Sequence, residues 1–199
     1  MIFTPALTNH FTDKNSNKMS SSEDLVAIWE VPLNTGLHTV EFEHGTATGK
    51  RVIRVNGKEV LRHDWMFRLV GEETFCLDSK VPCVIKIEPS GPFGYSYSIT
   101  VDGKTLEKFS QAQGKANCTW MLQVNEETYR VVLERGSLDI WVNGDKADVT
   151  GEFVENGTET HFTIGNTPAY IKAVSSCNKK EGLIYSLIVN DNVIPPSNV

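Results

Sequence analysis

The chain has 199 residues, 40% of them hydrophobic and 22% charged, with a formal net charge of −6. This composition belongs to a folded globular chain long enough for one or two domains. The negative balance excludes a general nucleic-acid or anionic-membrane binder, which needs a basic face, and no apolar run is long enough for a transmembrane helix.

Residues 1–23 are polar, with apolar residues scattered without period. Such a segment buries too little surface to offset its ordering entropy, so it is expected to be a disordered tail. It has no basic stretch followed by an apolar one, so a secretory signal is not expected. Met19 offers an alternative start, which would make the tail optional. Four cysteines (Cys76, Cys83, Cys118 and Cys177) form no C-x-x-C pair and are expected to be reduced thiols. The sequons at Asn117 and Asn156 are then chance matches, and the chain is expected in the cytoplasm.

Ordered sequence begins at Leu25. Leu25–Val31 is β-branched and aromatic, stopped by Pro32, and Asn34-Thr-Gly36 is a turn. His38–Glu43 alternates, with Val40 and Phe42 on one face and Glu41 and Glu43 on the other. Arg51–Val55 is a strand running into Asn56-Gly57, a strong hairpin signal, with a return strand over Lys58–Leu61. Trp65–Val70 is expected as a further strand, ended by Gly71. Thr74–Leu77, Val84–Ile87 and Tyr95–Val101 follow, and Thr105–Phe109 closes the unit after a turn at Asp102-Gly103. Residues 110–116 are polar and are expected to be a linker, with a short helical turn possible at Ser110–Gly114.

The pattern then starts again. Strands are expected over Thr119–Val124, Tyr129–Glu134, Asp139–Val142, Thr160–Ile164, Ala169–Val174 and Leu183–Val189. Val142-Asn-Gly144 repeats Val55-Asn-Gly57, and Tyr185–Val189 repeats Tyr97–Val101. Tyr129–Gly136 repeats His38–Gly45. All lie in the same order at offsets of 87 to 91 positions. Two copies of a unit of about 80 residues are therefore predicted. No amphipathic helix of three turns is evident, and strands recurring every 8–12 residues indicate antiparallel sandwiches. The expected architecture is all-β: two tandem, homologous antiparallel β-sandwich domains, at 24–109 and 117–199, joined by the 110–116 linker.

Reactive chemistry finds little support. The histidines His10, His38, His44, His63 and His161 lie more than four residues apart and none adjoins a cysteine, so no metal-ligand spacing is present, although folding can gather distant ligands. There is no G-x-S-x-G elbow and no phosphate-binding loop; Gly91-Pro-Phe-Gly94 lacks a following helix and is a turn. His63-Asp64 fits a solvated strand edge. Asn178–Gly182 is an exposed basic turn. No catalytic, cofactor-binding or metal residue is assigned. Trp29 and Trp120 occupy matching places and are expected in the two cores. Trp141 alternates away from Ile140 and Val142, so it is the candidate exposed interaction anchor.

Longer stretches carry a resemblance. Glu43-His-Gly-Thr46, Gly49-Lys-Arg-Val52, Trp65-Met-Phe67, Leu69-Val-Gly71, Gly151-Glu-Phe-Val154, Gly157-Thr-Glu-Thr-His-Phe162, Tyr170-Ile-Lys-Ala-Val-Ser-Ser176 and Lys180-Glu-Gly182 resemble the Fas apoptotic inhibitory molecule family, over residues 24–196. The resemblance implies a cytoplasmic, non-enzymatic protein of two β-sandwiches that inhibits Fas- and death-receptor-mediated apoptosis, with links to NF-κB and neurite-outgrowth signalling and to protection against stress-induced protein aggregation. It implies no catalytic residues and no cofactor. The expected partners are death-receptor or apoptosis-pathway proteins, or unfolding client proteins if the chain is a chaperone-like holdase; a homo-oligomer fits either. A small-ligand or carbohydrate-binding sandwich is the third reading, and it requires a concave pocket with convergent polar groups. A longer neuronal form of the family has an N-terminal extension linked to death-receptor antagonism and to binding of the X-linked inhibitor of apoptosis. Residues 1–22 do not resemble it, so those activities are not carried over.

Overall fold

The computed structural model describes residues 24–176 and 182–197; the expected tail, Cys177 and most of the basic 178–182 turn lie outside the described residues. Strands β1 (Leu25–Leu33), β2 (Gly36–Gly45), β3 (Lys50–Val55) and β4 (Lys58–His63) form an antiparallel meander. A second meander holds β5 (Gly71–Leu77), β6 (Val81–Ser90), β7 (Gly94–Val101) and the two-residue β8 (Lys104–Thr105). Their inner faces enclose one core, with Val40, Phe42 and Ile53 meeting Phe75, Leu77, Ile85, Ile99 and Val101.

The second half repeats the plan. One sheet contains β9 (Asn117–Val124), β10 (Glu127–Glu134), β11 (Ile140–Val142) and β12 (Asp145–Lys146). The other contains β13 (Thr150–Val154), β14 (Gly157–Ile164), β15 (Thr167–Ser175), β16 (Leu183–Val189) and β17 (Asn192–Ile194). Trp120, Val131, Leu133 and Ile140 pack on Phe162, Ile164, Ile171, Leu187 and Val189 in a second core. Among the described residues the chain is thus all-β apart from one helix, in two sheet-on-sheet sandwiches, as the alternation indicates.

Three elements differ from expectation. Leu106–Ala116 is an α-helix, α1, spanning the stretch expected as a linker. Only Leu106 and Phe109, three apart, turn toward the first core, so the apolar stripe is too sparse to register as an amphipathic period. Glu107 in the first turn and Lys115 in the last complement the helix dipole. Trp65–Val70 is irregular rather than a strand, whereas β13, not anticipated from sequence, pairs with β14 over five residues.

The halves meet where the β1–β2 turn reaches the second sandwich. Asn117 Nδ2 donates to Asn34 Oδ1 at 2.6 Å, and Arg130 Nη1 donates to the Asn34 carbonyl at 3.2 Å. Gly144, at φ +92°, lies so close to Thr35 that a Cβ there would fall 2.2 Å from its carbonyl oxygen. Its glycine therefore serves both the positive φ of a hairpin turn and the close approach.

Candidate functional site

Trp141 lies at this seam. It sits on β11 opposite Val132, on the face turned from the second core, and is half-buried. It walls an open cleft of about 500 Å³ together with Leu33, Asn34, Thr35, Asp78, Lys80 and Gln113. Its indole Nε1 is enclosed and has no hydrogen-bond partner among the described residues. Across the cleft, Thr35 donates to the Asp78 carboxylate, and His38 Nε2 stands 3.4 Å from Asp78. Trp120 is fully enclosed in the second core, while Trp29 packs on the first core only partly buried.

Sequence reasoning missed a polar group inside the first sandwich. Phe42 and His44 alternate onto the inner face of β2, Arg51 and Ile53 onto that of β3, and Glu73 and Phe75 onto that of β5. The apolar core therefore ends in buried His44, Arg51 and Glu73. Arg51 Nη1 donates to Glu73 Oε1 at 2.6 Å, and Arg51 Nη2 donates to the carbonyls of Arg68 and Val70 at 2.7 and 3.1 Å. His44 Nδ1 and the Tyr97 hydroxyl share a hydrogen bond of 2.9 Å, and the His44 ring lies edge-on to Tyr95. Burial, reinforced by the nearby Arg51 charge, lowers the His44 pKa and holds the ring neutral. Burial likewise raises the Tyr97 pKa. On the opposite face, buried Glu43 takes ion pairs from Lys50, at 2.9 Å, and from Arg54. The available signal was phase: His44, Arg51 and Glu73 each share the inward parity of apolar neighbours on their own strand.

His63 and Asp64 do not form a dyad: Asp64 pairs with Arg62 at 3.0 Å, while His63 points toward Glu73 at 3.7 Å. Among the described residues the fold does gather one potential ligand set. Glu152 and Glu159 are directly opposite on β13 and β14, and with His161 their ligand atoms all lie within 4.8 Å of one another. Lys172 already binds Glu159 at 3.2 Å and His161 binds Glu152 at 3.2 Å, so the cluster is internally paired. Cys76, Cys83 and Cys118 are free thiols, and burial pushes the Cys83 thiol up to about 11, leaving it protonated and unreactive at neutral pH.

Large aromatics reach solvent on separate segments. Phe67, Phe93 and Phe153 are 95%, 97% and 94% exposed, and Trp65 stands edge-on to Phe67. Phe93 tips the β6–β7 turn. Phe67 and Phe153 each lie four residues before the glycine that opens the next strand, Gly71 or Gly157. No helix among the described residues is long and apolar enough to cross a membrane.

Comparison with known proteins agrees with the resemblance read from the sequence. The family model described as Fas apoptotic inhibitory molecule (FAIM1) matches residues 25–197. Fas apoptotic inhibitory molecule 1 of Bos taurus is 53% identical over 173 residues, covering 86% of this chain and 86% of the bovine one. The Mus musculus and Homo sapiens proteins of the same name are each 50% identical over 173 residues, covering 86% of this chain and 97% of theirs. With a match spanning both sandwiches, the chain belongs to the Fas apoptotic inhibitory molecule family.

Proposed function

We propose that the chain is a non-enzymatic cytoplasmic regulator that inhibits Fas- and death-receptor-mediated apoptosis through protein–protein contact. The relatives' name supplies the pathway. The observation supporting contact as the mechanism is the set of nearly fully exposed phenylalanines, Phe67, Phe93 and Phe153. An exposed large aromatic gains more by meeting a partner than almost any other surface side chain. Trp141 is the proposed secondary anchor, reached through the seam cleft.

Expression in Fas-ligand-treated cells tests this reading. The wild-type chain should lower caspase activation, and the triple change Phe67→Ser, Phe93→Ser, Phe153→Ser should abolish protection and co-purification of its partner. Protection retained by the triple variant at equal abundance would count against contact through these residues. Trp141→Ala should weaken partner capture with the fold retained; a stability loss as large as that of a core tryptophan would instead assign Trp141 to structure. We also propose 24–109 and 117–199 as separable units around the 110–116 segment, each expected to melt cooperatively alone.

The spread of the same aromatics over both halves favours a second reading, a chaperone-like holdase that captures unfolding chains on exposed apolar surface. Near-stoichiometric suppression of aggregation of several unrelated clients by pure protein would support it. Aggregation of those clients unchanged, beside capture of one defined death-pathway protein, would leave the adaptor reading.

A further inference from the structure

The strand β13 ends its sheet and, among the described residues, pairs only with β14. A two-residue turn at 155–156 joins them, so Val154 and Gly157 form the closing hydrogen-bonded pair. Hydrogen-bonding direction alternates along an antiparallel strand, so Glu152 and Thr150 also face β14. The N–H and C=O groups of Gly151 and Phe153 therefore point outward along the free edge. Edge strands are normally blunted by proline, lysine or a bulge. Other edges use such devices: β1 has a bulge near Leu25 and carries Pro32, and β4 is bulged and bears Lys58 and Arg62, whereas β5 has none but presents no comparably exposed aromatic. The edge of β9 is occupied by Ser197, whose N–H donates to the Thr119 carbonyl at 2.8 Å and whose Oγ accepts from the Met121 N–H at 3.1 Å. The strand β13 reads Thr-Gly-Glu-Phe-Val, in unbroken register, with none of these features.

The same edge is acidic. Residues 148–155 include Asp148, Glu152 and Glu155 and no lysine or arginine. Glu152 stands directly opposite Glu159, a like-charge cross-strand pair that is unfavourable by itself and only partly offset by Lys172 and His161. Beside these charges Phe153 is almost fully exposed. Outward backbone groups, an aromatic anchor and a one-sided negative field together define what fits.

We propose that the free edge of β13 is a strand-addition site for an extended segment of a partner protein that carries lysine or arginine beside apolar residues. Main-chain bonds to Gly151 and Phe153 supply affinity, and the acidic side chains select a basic strand over an acidic one. This rests on the reading of the chain as an interaction protein and names the chemistry of one partner surface.

Titration of the full chain with a fluorescein-labelled octapeptide alternating lysine and valine, read by anisotropy, tests the proposal. Binding should weaken as salt is raised, and a glutamate–valine octapeptide should not bind. Phe153→Pro, which removes an outward N–H outside the ladder, and the surface double change Asp148→Lys, Glu155→Lys should each weaken binding at least tenfold with unchanged thermal melting. Wild-type affinity in the charge variant, equal binding of both peptides, or amide protection mapping away from 150–154 would overturn the proposal. So would a wild-type dimer in sedimentation that Phe153→Pro converts to monomer, since the occupant would then be a second copy. The cellular reading fails separately: it falls if the chain that binds this peptide gives no protection from Fas ligand, and it survives if protection persists in the charge variant.

Discussion

The connection between the two sheets of each sandwich is built in two different ways. In the first half, residues 64–70 cross from β4 to β5 as an irregular strap. Its Met66 N–H donates to the Thr48 carbonyl, and its Arg68 and Val70 carbonyls are collected by the buried guanidinium of Arg51. Gly49, at φ +69°, makes room for the carbonyl of Met66, which a Cβ would approach to 2.3 Å. In the second half, the repeat offset of Val55 and Val142 aligns Arg51 with Leu138, which is an exposed turn residue ahead of β11 rather than an inward strand residue. The pairings of Glu73 with Ile85 and of Thr160 with Ile171 put Thr160 where Glu73 stands. With neither guanidinium nor carboxylate to organise a strap, the chain satisfies its backbone in the ordinary way and forms β13. One ion pair decides whether the first connection is tied inward. The second connection, which has no such pair, is a ladder strand at the edge of its sheet.

Removing that ion pair should have the largest effect. Arg51→Met strands the Glu73 carboxylate and frees two carbonyls, so it should destabilise the first sandwich by about 3–5 kcal/mol. Arg51→Met with Glu73→Leu should recover part of the loss, because no uncompensated charge then remains. Denaturant titration of the single and double variants checks both, and a single variant as stable as wild type would mean that the pair does not hold the strap. The tryptophan pair sharpens the same contrast between halves. Trp120→Ala empties a fully enclosed site and should cost about 3–5 kcal/mol, and Trp29→Ala, at a half-open one, distinctly less. Equal losses would show that Trp29 is as enclosed as its repeat partner.

Alternation made most of the fold legible. Val40 and Phe42, the Asn-Gly turns at 56–57 and 143–144, and the repeat offsets together give paired sandwiches. What stayed hidden was hidden for physical reasons. The strap 64–70 is as apolar as a strand, but its conformation is set by Arg51, more than a dozen residues away. The strand β13 contains Gly151 and Glu152 and gains its pairing from β14 rather than from its own propensity. Helix α1 buries only Leu106 and Phe109. Trp141 was legible as a residue turned from the core, and the seam that half-covers it depends on a turn about a hundred positions earlier. The exposed phenylalanines carried no sequence signal that separates them from core residues.

A smaller effect follows from the polar end of the first core, which has no counterpart among the described residues of the second. His44 is neutral inside, with its pKa below the ordinary 6.5. Above that value both folded and unfolded chains hold the ring neutral, and its full contribution to stability is present. As pH falls through 6.5 toward the lowered folded value, the unfolded chain takes up a proton that the folded chain refuses, so stability falls. Thermal melting should therefore drop between pH 7.5 and 5.5 more in wild type than in His44→Gln. Identical pH profiles for the two would remove His44 from the account.

The smallest effect tests whether the two connections differ only in what lies beneath them. Phe67 on the strap and Phe153 on β13 hold the same place relative to Gly71 and Gly157, and both are almost wholly in solvent. Replacing either by serine gives up little buried surface, so Phe67→Ser and Phe153→Ser should each shift stability by no more than about 0.5 kcal/mol. Differential scanning calorimetry of the two variants resolves shifts of that size. A loss well above it at Phe67 alone would mean that the strap folds its aromatic pair back onto the sandwich in solution and that Trp65 and Phe67 are structural. A loss at Phe153 alone would mean that the edge of β13 is already covered. Near-zero shifts at both leave two phenylalanines that the fold does not need.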